Sequence, residues 1–90
     1  MLAHSTYIIF SISLNRYYVG STSVGVELRL SRHNDGWTPY TNRGVPWELK
    51  YLKKFSAKQE ALKWENFIKR QKSRTFIERL INSDENELIY

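Results

Sequence analysis

Five side chains of this 90-residue chain have types and spacings that suit the hydrolysis of a phosphodiester. They are Tyr7, Tyr18, Arg29, His33 and Glu65. Negative charge grows on the non-bridging oxygens of a phosphodiester during attack, so catalysis needs a cation there, and an arginine fork fits the phosphate geometry. Two phenols, an imidazole and a metal-binding carboxylate complete a set that suits this reaction better than the other common ones.

Glu65 is the most specific of these assignments. It lies four residues after Ala61 and three before Ile68, on or beside the apolar stripe of a predicted helix. A carboxylate there is costly unless it is paired or bound to a metal. Mg²⁺ keeps most of its waters, so one glutamate is a sufficient anchor. We expect metal anchoring, with a salt bridge to Arg29 or Lys69 as the structural alternative.

A β-hairpin must position the two tyrosines. Residues 6–12 and 17–22 are rich in β-branched and aromatic side chains and predict two strands. An even loop over 13–16 would place Tyr7 and Tyr18 on one face of the sheet. Arg29 and His33 lie one helical turn apart and project from one face of the next element.

The remaining elements predict an α+β fold, a three-stranded antiparallel sheet flanked by helices in the order β-β-α-β-α-α. After the hairpin come a helix over 24–34, a breaker-rich loop over 36–46, a strand over 47–55 and helices over 57–70 and 74–81. Ser56 and Ser73 are the predicted N-caps of the last two helices. The inward-facing set comprises Val24, Leu28, Leu30, Trp47, Tyr51, Phe55, Ala57, Ala61, Leu62, Trp64, Phe67, Ile68, Phe76, Ile77, Leu80 and Ile81.

Composition sets the broad class. The net charge of +5 favours a polyanionic partner, of which nucleic acid is the commonest, although a solubilising surface is the plain alternative. The chain has no cysteine, which excludes disulfides and thiolate metal sites. No apolar run is long enough for a membrane span, and the N-terminus lacks a signal-peptide pattern. We expect a cytoplasmic protein without membrane contact, with one domain over 1–82 and a frayed acidic tail over 83–90.

Six short patterns occur in order along the chain. They are Ser5-Thr6-Tyr7, Tyr18-Val19-Gly20, Glu27-Leu28-Arg29-Leu30 with His33-Asn34, Gly44-Val45-Pro46-Trp47-Glu48-Leu49, Lys63-Trp64-Glu65 and Lys72-Ser73-Arg74. The ordered set resembles the GIY-YIG nuclease superfamily over about residues 5–81. The resemblance is greatest to its small stand-alone bacterial members, which are related to the nuclease domain of the excision-repair incision subunit.

The resemblance implies a role for each of the five residues. Tyr7 and Tyr18 match the tyrosines of the two motifs, one of which would act as general base. Arg29 matches the arginine that binds the scissile phosphate, and His33 a histidine found in part of the superfamily. Glu65 matches the glutamate that holds a single Mg²⁺ or Mn²⁺.

The chain departs from the family pattern in three places. Ser5 and Thr6 replace the Gly and Ile of the first motif, and the segment from Gly20 to Arg29 is one residue longer than in close relatives. Many members have an asparagine about three turns beyond the metal glutamate, where this chain has Ile77. That amide would help to orient the substrate phosphate.

The sequence therefore predicts a metal-dependent endonuclease acting on DNA. Arg43 is a further predicted phosphate contact, and Trp37 and Tyr40 are weaker candidates for base stacking. One alternative is a non-catalytic nucleic-acid-binding module on the same scaffold, and another is an interaction domain for an acidic protein. A protein partner would supply the specificity that so short a chain lacks.

Overall fold

The computed structural model describes residues 4–37 and 39–88, and its centre is a three-stranded antiparallel sheet. The strands are β1 His4–Ser11, β2 Arg16–Thr22 and β3 Trp47–Phe55, in the order β2-β1-β3. The helices are α1 Val26–Asn34, the single turn α2 Pro39–Asn42, α3 Lys58–Gln71 and α4 Arg74–Ile81. The α+β class and the order β-β-α-β-α-α are confirmed, with α2 as an added turn inside the predicted loop.

The hairpin register places the two tyrosines as the even loop length predicts. Tyr7 pairs with Gly20, and Ile9 pairs with Tyr18. Cross-strand partners share a face and side chains alternate along a strand, so Tyr7 and Tyr18 project from the same side of the sheet. The shared face is confirmed.

A core lies on each face of the sheet, because the central strand β1 is covered on both sides. The first cluster packs under α1 and comprises Tyr7, Ile9, Val26, Trp47 and Leu52. The second packs under α3 and α4 and comprises Ile8, Val19, Tyr51, Ile68 and Leu80. The continuous apolar run of β1 follows from this two-sided burial.

Four side chains predicted to face inward are exposed. They are Val24, Leu28, Leu62 and Phe67, exposed by 52%, 46%, 40% and 39%. Gly25, at a φ of +101°, precedes a helix that starts at Val26, so Val24 lies outside it. The buried residues of α1 are Val26 and His33, and those of α3 are Ala61 and Ile68. Each pair is two turns apart, which makes the buried stripe narrower than predicted.

The helix caps agree with the prediction in one of two cases. Ser73 caps α4, since its Oγ accepts a hydrogen bond from the Phe76 backbone N–H at 3.0 Å. The predicted Ser56 cap is wrong by one residue, because Ala57 occupies the N-cap of α3 and supplies no side-chain bond.

Residues 83–88 of the acidic tail are bonded to the sheet rather than frayed as predicted, and residues 89–90 lie outside the described residues. Asn86 Nδ2 donates to the carbonyls of Lys50 and Ile81 at 2.9 and 2.8 Å, and its Oδ1 accepts from the Leu52 backbone N–H at 3.2 Å. Glu87 bonds the same edge through Leu52 and Lys54. The tail thereby covers the open edge of β3, whose backbone groups would otherwise be unpaired.

Among the described helices, none is long and apolar enough to cross a membrane.

Candidate active site

The buried phenol of Tyr7 is the hub of a cluster between β1 and α1. Its side chain is 1% exposed. Arg29 Nε donates a hydrogen bond to Tyr7 Oη at 3.2 Å, and Oη lies 2.8 Å from His33 Nε2. Arg29 and His33 are one turn apart on α1, so a single phenol holds both in place. Two of the predicted site residues are thus bonded directly to a third.

Gly20 provides the space that this phenol occupies. It lies directly opposite Tyr7 in the β1–β2 register. A Cβ at Gly20 would stand 2.6 Å from Tyr7 Oη and 2.7 Å from Cζ, well inside van der Waals contact. The glycine of the Tyr18-Val19-Gly20 tripeptide is therefore required by a side chain of this protein.

His33 is fully buried and hydrogen-bonded through both ring nitrogens. Besides its bond to Tyr7, Nδ1 lies 2.8 Å from Thr41 Oγ1 on α2. Burial, and then the positive charge of Arg29, lower the pKa of His33 to about 4. The ring is neutral at pH 7 and carries one proton, so one of its two bonds is donated and the other accepted. A neutral imidazole here orients the phenol and supplies no positive charge to a phosphate.

The ionisation of Tyr7 reflects the charges around it. Burial raises the pKa of Tyr7 above its ordinary value, and the hydrogen bond and charge of Arg29 oppose that rise. The charges of Tyr18 and Glu65 raise the pKa further. The phenol is therefore protonated near neutral pH, and a charge on Glu65 contributes to the raised pKa.

Tyr18 lies beside this cluster but is accessible. Its ring packs against His33, Tyr40 and Trp47, with centroid distances of 5.2, 5.6 and 6.2 Å. The half-buried ring also lines two surface clefts of about 400 and 620 Å³. A substrate in either cleft would meet Tyr18, whereas Tyr7 lies beneath the surface.

Glu65 reaches the same region from α3. Its side chain is 14% exposed and accepts a hydrogen bond from Lys69 Nζ at 2.5 Å, which forms an ion pair one turn apart. Lys69 Nζ in turn lies 6.0 Å from the centroid of the Tyr18 ring. The alternative of a Lys69 salt bridge is thus present, and Glu65 is not sealed in the core against Arg29.

Arg43 occupies a different cleft from Arg29. Arg43 is exposed and lines the cleft of about 620 Å³ together with Tyr18 and Tyr40. Arg29 is half-buried and lines a separate cleft of about 280 Å³. The two predicted phosphate contacts therefore do not share one pocket.

Two residues that support the site were not identified from the sequence. Thr41 bonds His33, and its carbonyl accepts the Trp47 indole N–H at 2.7 Å. Asn34 clamps the backbone of Trp47, since its Oδ1 accepts from the Trp47 N–H at 2.6 Å and its Nδ2 donates to the Trp47 carbonyl at 3.3 Å. Asn34 adjoins His33 in the sequence, which is a usable signal, whereas Thr41 carries none.

The comparisons with known proteins decide the family. A family model described as the GIY-YIG catalytic domain matches residues 3–79. The chain belongs to the GIY-YIG family. No solved structure is significantly similar to it.

Three curated relatives of this GIY-YIG protein are small bacterial proteins. The UPF0213 protein YazA of Bacillus subtilis (strain 168) is 37% identical over 75 residues, which cover 79% of this chain and 75% of YazA. A UPF0213 protein of Streptococcus pneumoniae serotype 4 is 38% identical over 76 residues, or 82% and 76% of the two chains. A UPF0213 protein of Bacillus licheniformis is 39% identical over 71 residues, which cover 78% of this chain and 71% of the relative. The resemblance to stand-alone bacterial members is confirmed.

Glu65 is the candidate metal ligand of this GIY-YIG domain. Within residues 4–37 and 39–88, no group of three or more His, Cys, Asp or Glu side chains could enclose a metal ion. A hard cation that keeps most of its waters needs only one or two carboxylates, so the partly exposed Glu65 carboxylate would suit such an ion. Both nitrogens of His33 are engaged, and that residue is not a ligand in this arrangement.

Proposed function

We propose that this chain is a metal-dependent endonuclease that hydrolyses phosphodiester bonds in DNA. The family supports a nuclease-like activity. The observation that carries the proposal is the bonded triplet of Arg29, Tyr7 and His33, with Glu65 acting on the same phenol. It supports the proposal because the reaction requires a cation at the phosphate and a carboxylate for the metal, and Arg29 and Glu65 both act on the Tyr7 phenol.

Arg29 binds the scissile phosphate in this proposal. Its Nε is held by Tyr7, which fixes the plane of the guanidinium before substrate arrives. The terminal nitrogens are then the donors for two phosphate oxygens, in the forked geometry that suits arginine. A donor positioned in advance costs little reorganisation when charge develops on those oxygens.

Tyr18 removes the proton from the attacking water. Its ring is half-buried and borders two clefts, while the Tyr7 phenol is 1% exposed and has a raised pKa. A general base must lie within hydrogen-bond reach of the water, so accessibility favours Tyr18 over Tyr7. His33 assists indirectly by positioning Tyr7, and through it Arg29.

Glu65 would hold the divalent ion through its partly exposed carboxylate. When bound, Mg²⁺ or Mn²⁺ supplies Lewis-acid stabilisation of the phosphoryl and leaving oxygens. Glu65 must then exchange its Lys69 partner, whose side chain is 47% exposed. The Lys69 ammonium can turn to solvent when the ion binds, because its side chain is the exposed member of the pair.

A nucleic-acid-binding module without catalysis is the second candidate. The observation that favours it is Ile77, an α4 residue that packs against the second core cluster. It stands at the position where the family pattern has an asparagine. This module would bind DNA without cleaving it, and binding would weaken with salt at a slope of about −0.9 per phosphate neutralised.

Nicking of supercoiled DNA with Mg²⁺ separates the two candidates. We expect Glu65→Gln and Arg29→Ala to lower the rate by about 10²–10³, the usual loss for one transition-state contact. Glu48→Gln and Arg79→Gln are matched controls, since both remove an exposed charge elsewhere and should keep the rate within about twofold. If wild type nicks no faster than Glu65→Gln yet binds DNA, the binding module is correct and the endonuclease is not.

A further inference from the structure

A small basic cleft adjoins the candidate site on the Arg29 side. It has a volume of about 280 Å³, and its cationic lining is Arg29, Arg32 and Lys58. The hydroxyl side chains of Ser21 and Ser23 border it as well. Pockets for drug-sized ligands span roughly 300–1,000 Å³, so this cleft suits the phosphate groups of a strand better than a whole nucleotide.

Arg32 has a donor in this region that nothing in the described part of the chain satisfies. Its Nε is buried and has no hydrogen-bond partner among residues 4–37 and 39–88. A buried donor without an acceptor is unfavourable, and such groups in folded proteins call for an explanation. Because that Nε is closed to solvent, a phosphate in the cleft would meet the rest of the Arg32 guanidinium, which forms no salt bridge within residues 4–37 and 39–88.

The Trp37 ring packs against the Arg32 guanidinium and is open to solvent. The Arg32 guanidinium carbon lies 4.9 Å from the centroid of the Trp37 ring, in a cation–π arrangement. The Trp37 backbone N–H donates to the Arg32 carbonyl at 3.0 Å, and Gly36 takes the turn at a φ of +78°. The side chain remains 67% exposed. An indole that is held from behind and open in front is a stacking surface for a base.

We propose that Arg32, Lys58 and Trp37 form a second nucleotide subsite next to the scissile phosphate. Arg32 and Lys58 bind the phosphate that flanks the scissile one, and Trp37 stacks on the base of that nucleotide. This inference rests on the proposed nucleic-acid function and adds a substrate class to it. A base within a duplex is already stacked on both sides, so the subsite selects single-stranded or flapped DNA.

The test measures binding without metal, so that cleavage does not enter it. The probes are a fluorescein-labelled single-stranded oligonucleotide and the duplex of the same sequence, both in EDTA, with anisotropy as the readout. Trp37→Ala should weaken single-strand binding about tenfold and duplex binding less than about twofold. Trp37→Phe keeps an aromatic ring and should restore most of the single-strand affinity.

Arg32 and a matched arginine test the phosphate contact. Arg32→Gln should reduce the slope of log K against log salt by about 0.7 for the single strand. Arg79→Gln removes an exposed charge on α4, away from the cleft, and should leave the slope unchanged. Urea midpoints within error of wild type establish that each variant is folded.

The outcomes separate this subsite from the proposed nuclease. If Trp37→Ala affects neither DNA form, or both equally, the subsite is overturned whether or not the protein nicks DNA. If the single-strand effect is present but no nicking occurs, the subsite stands and the endonuclease fails. Equal slopes for Arg32→Gln and Arg79→Gln would remove Arg32 from the subsite.

Discussion

Replacing Gly20 with alanine tests whether this glycine exists to make room for the Tyr7 phenol. The new Cβ would lie 2.6 Å from Tyr7 Oη and 2.7 Å from Cζ. The phenol is 1% exposed and bonded to both Arg29 and His33, so it cannot move aside without breaking those contacts. Gly20→Ala should therefore disturb both the core and the site.

The magnitude follows from the cost of overpacking a core. Forcing extra atoms into a well-packed site costs about 1–3 kcal/mol of unfolding free energy. For a domain of 60–100 residues, each kcal/mol lowers the Tm by about 4–8 °C. A loss of about 2 kcal/mol corresponds to a Tm lower by about 8–16 °C. Urea denaturation and a thermal scan measure the two quantities independently.

A second background shows whether the effect passes through the phenol. Tyr7→Leu removes both Oη and Cζ while keeping an apolar side chain in the core. In that background Gly20→Ala should be neutral, or stabilising by up to about 1 kcal/mol, because alanine loses less backbone entropy than glycine on folding. The remaining short distance, 3.2 Å to Tyr18 Cε2, requires a shift of only a few tenths of an ångström.

The reasoning is refuted by either of two results. One is a Gly20→Ala protein whose unfolding free energy lies within about 0.5 kcal/mol of wild type, the range of ordinary surface changes. The other is an equal loss in the wild-type and Tyr7→Leu backgrounds, which would show no coupling between Gly20 and the phenol.

Three further predictions concern stability. The pKa of His33 is about 4 in the folded protein and ordinarily about 6.5, so protonation favours the unfolded state. The unfolding free energy should therefore fall as the pH drops from 6.5 to 4. Urea titrations of His33→Gln should lack this pH dependence. Tyr7→Phe leaves buried groups on Arg29 and His33 unpaired and should cost about 1–3 kcal/mol in the same assay, whereas a loss below about 0.5 kcal/mol would contradict this. Asn86→Ala should cost a similar amount and speed hydrogen exchange of the Leu52 amide, and unchanged exchange would argue against a fastened tail.

Much of the architecture could be predicted because it depends on local patterns. The bounds of β3 at Trp47–Phe55 and of α4 at Arg74–Ile81 agree with the prediction from apolar spacing and the Ser73 cap. The shared face of Tyr7 and Tyr18 follows from parity across an even loop. These features depend on residues that are close together in the sequence, so one sequence is enough to predict them.

The supporting contacts could not be predicted in the same way. Thr41 meets His33 across eight positions, and Asn86 meets Leu52 across 34, through hydrogen bonds that no period encodes. The five candidate site residues were identified by their order and resemblance. Their relative depth, with Tyr7 buried and Tyr18 accessible, is set by packing of α1 and α2 over the sheet.

The single-turnover rate of DNA cleavage tests the central claim most directly. Wild type and Glu65→Gln are compared at saturating protein, each with Mg²⁺ and with EDTA, beside the Glu48→Gln control. We expect Mg²⁺-dependent cleavage by wild type and Glu48→Gln, and a rate about 10²–10³ lower for Glu65→Gln. Equal rates for wild type and Glu65→Gln, or cleavage that persists in EDTA, would contradict the proposed metal-dependent site.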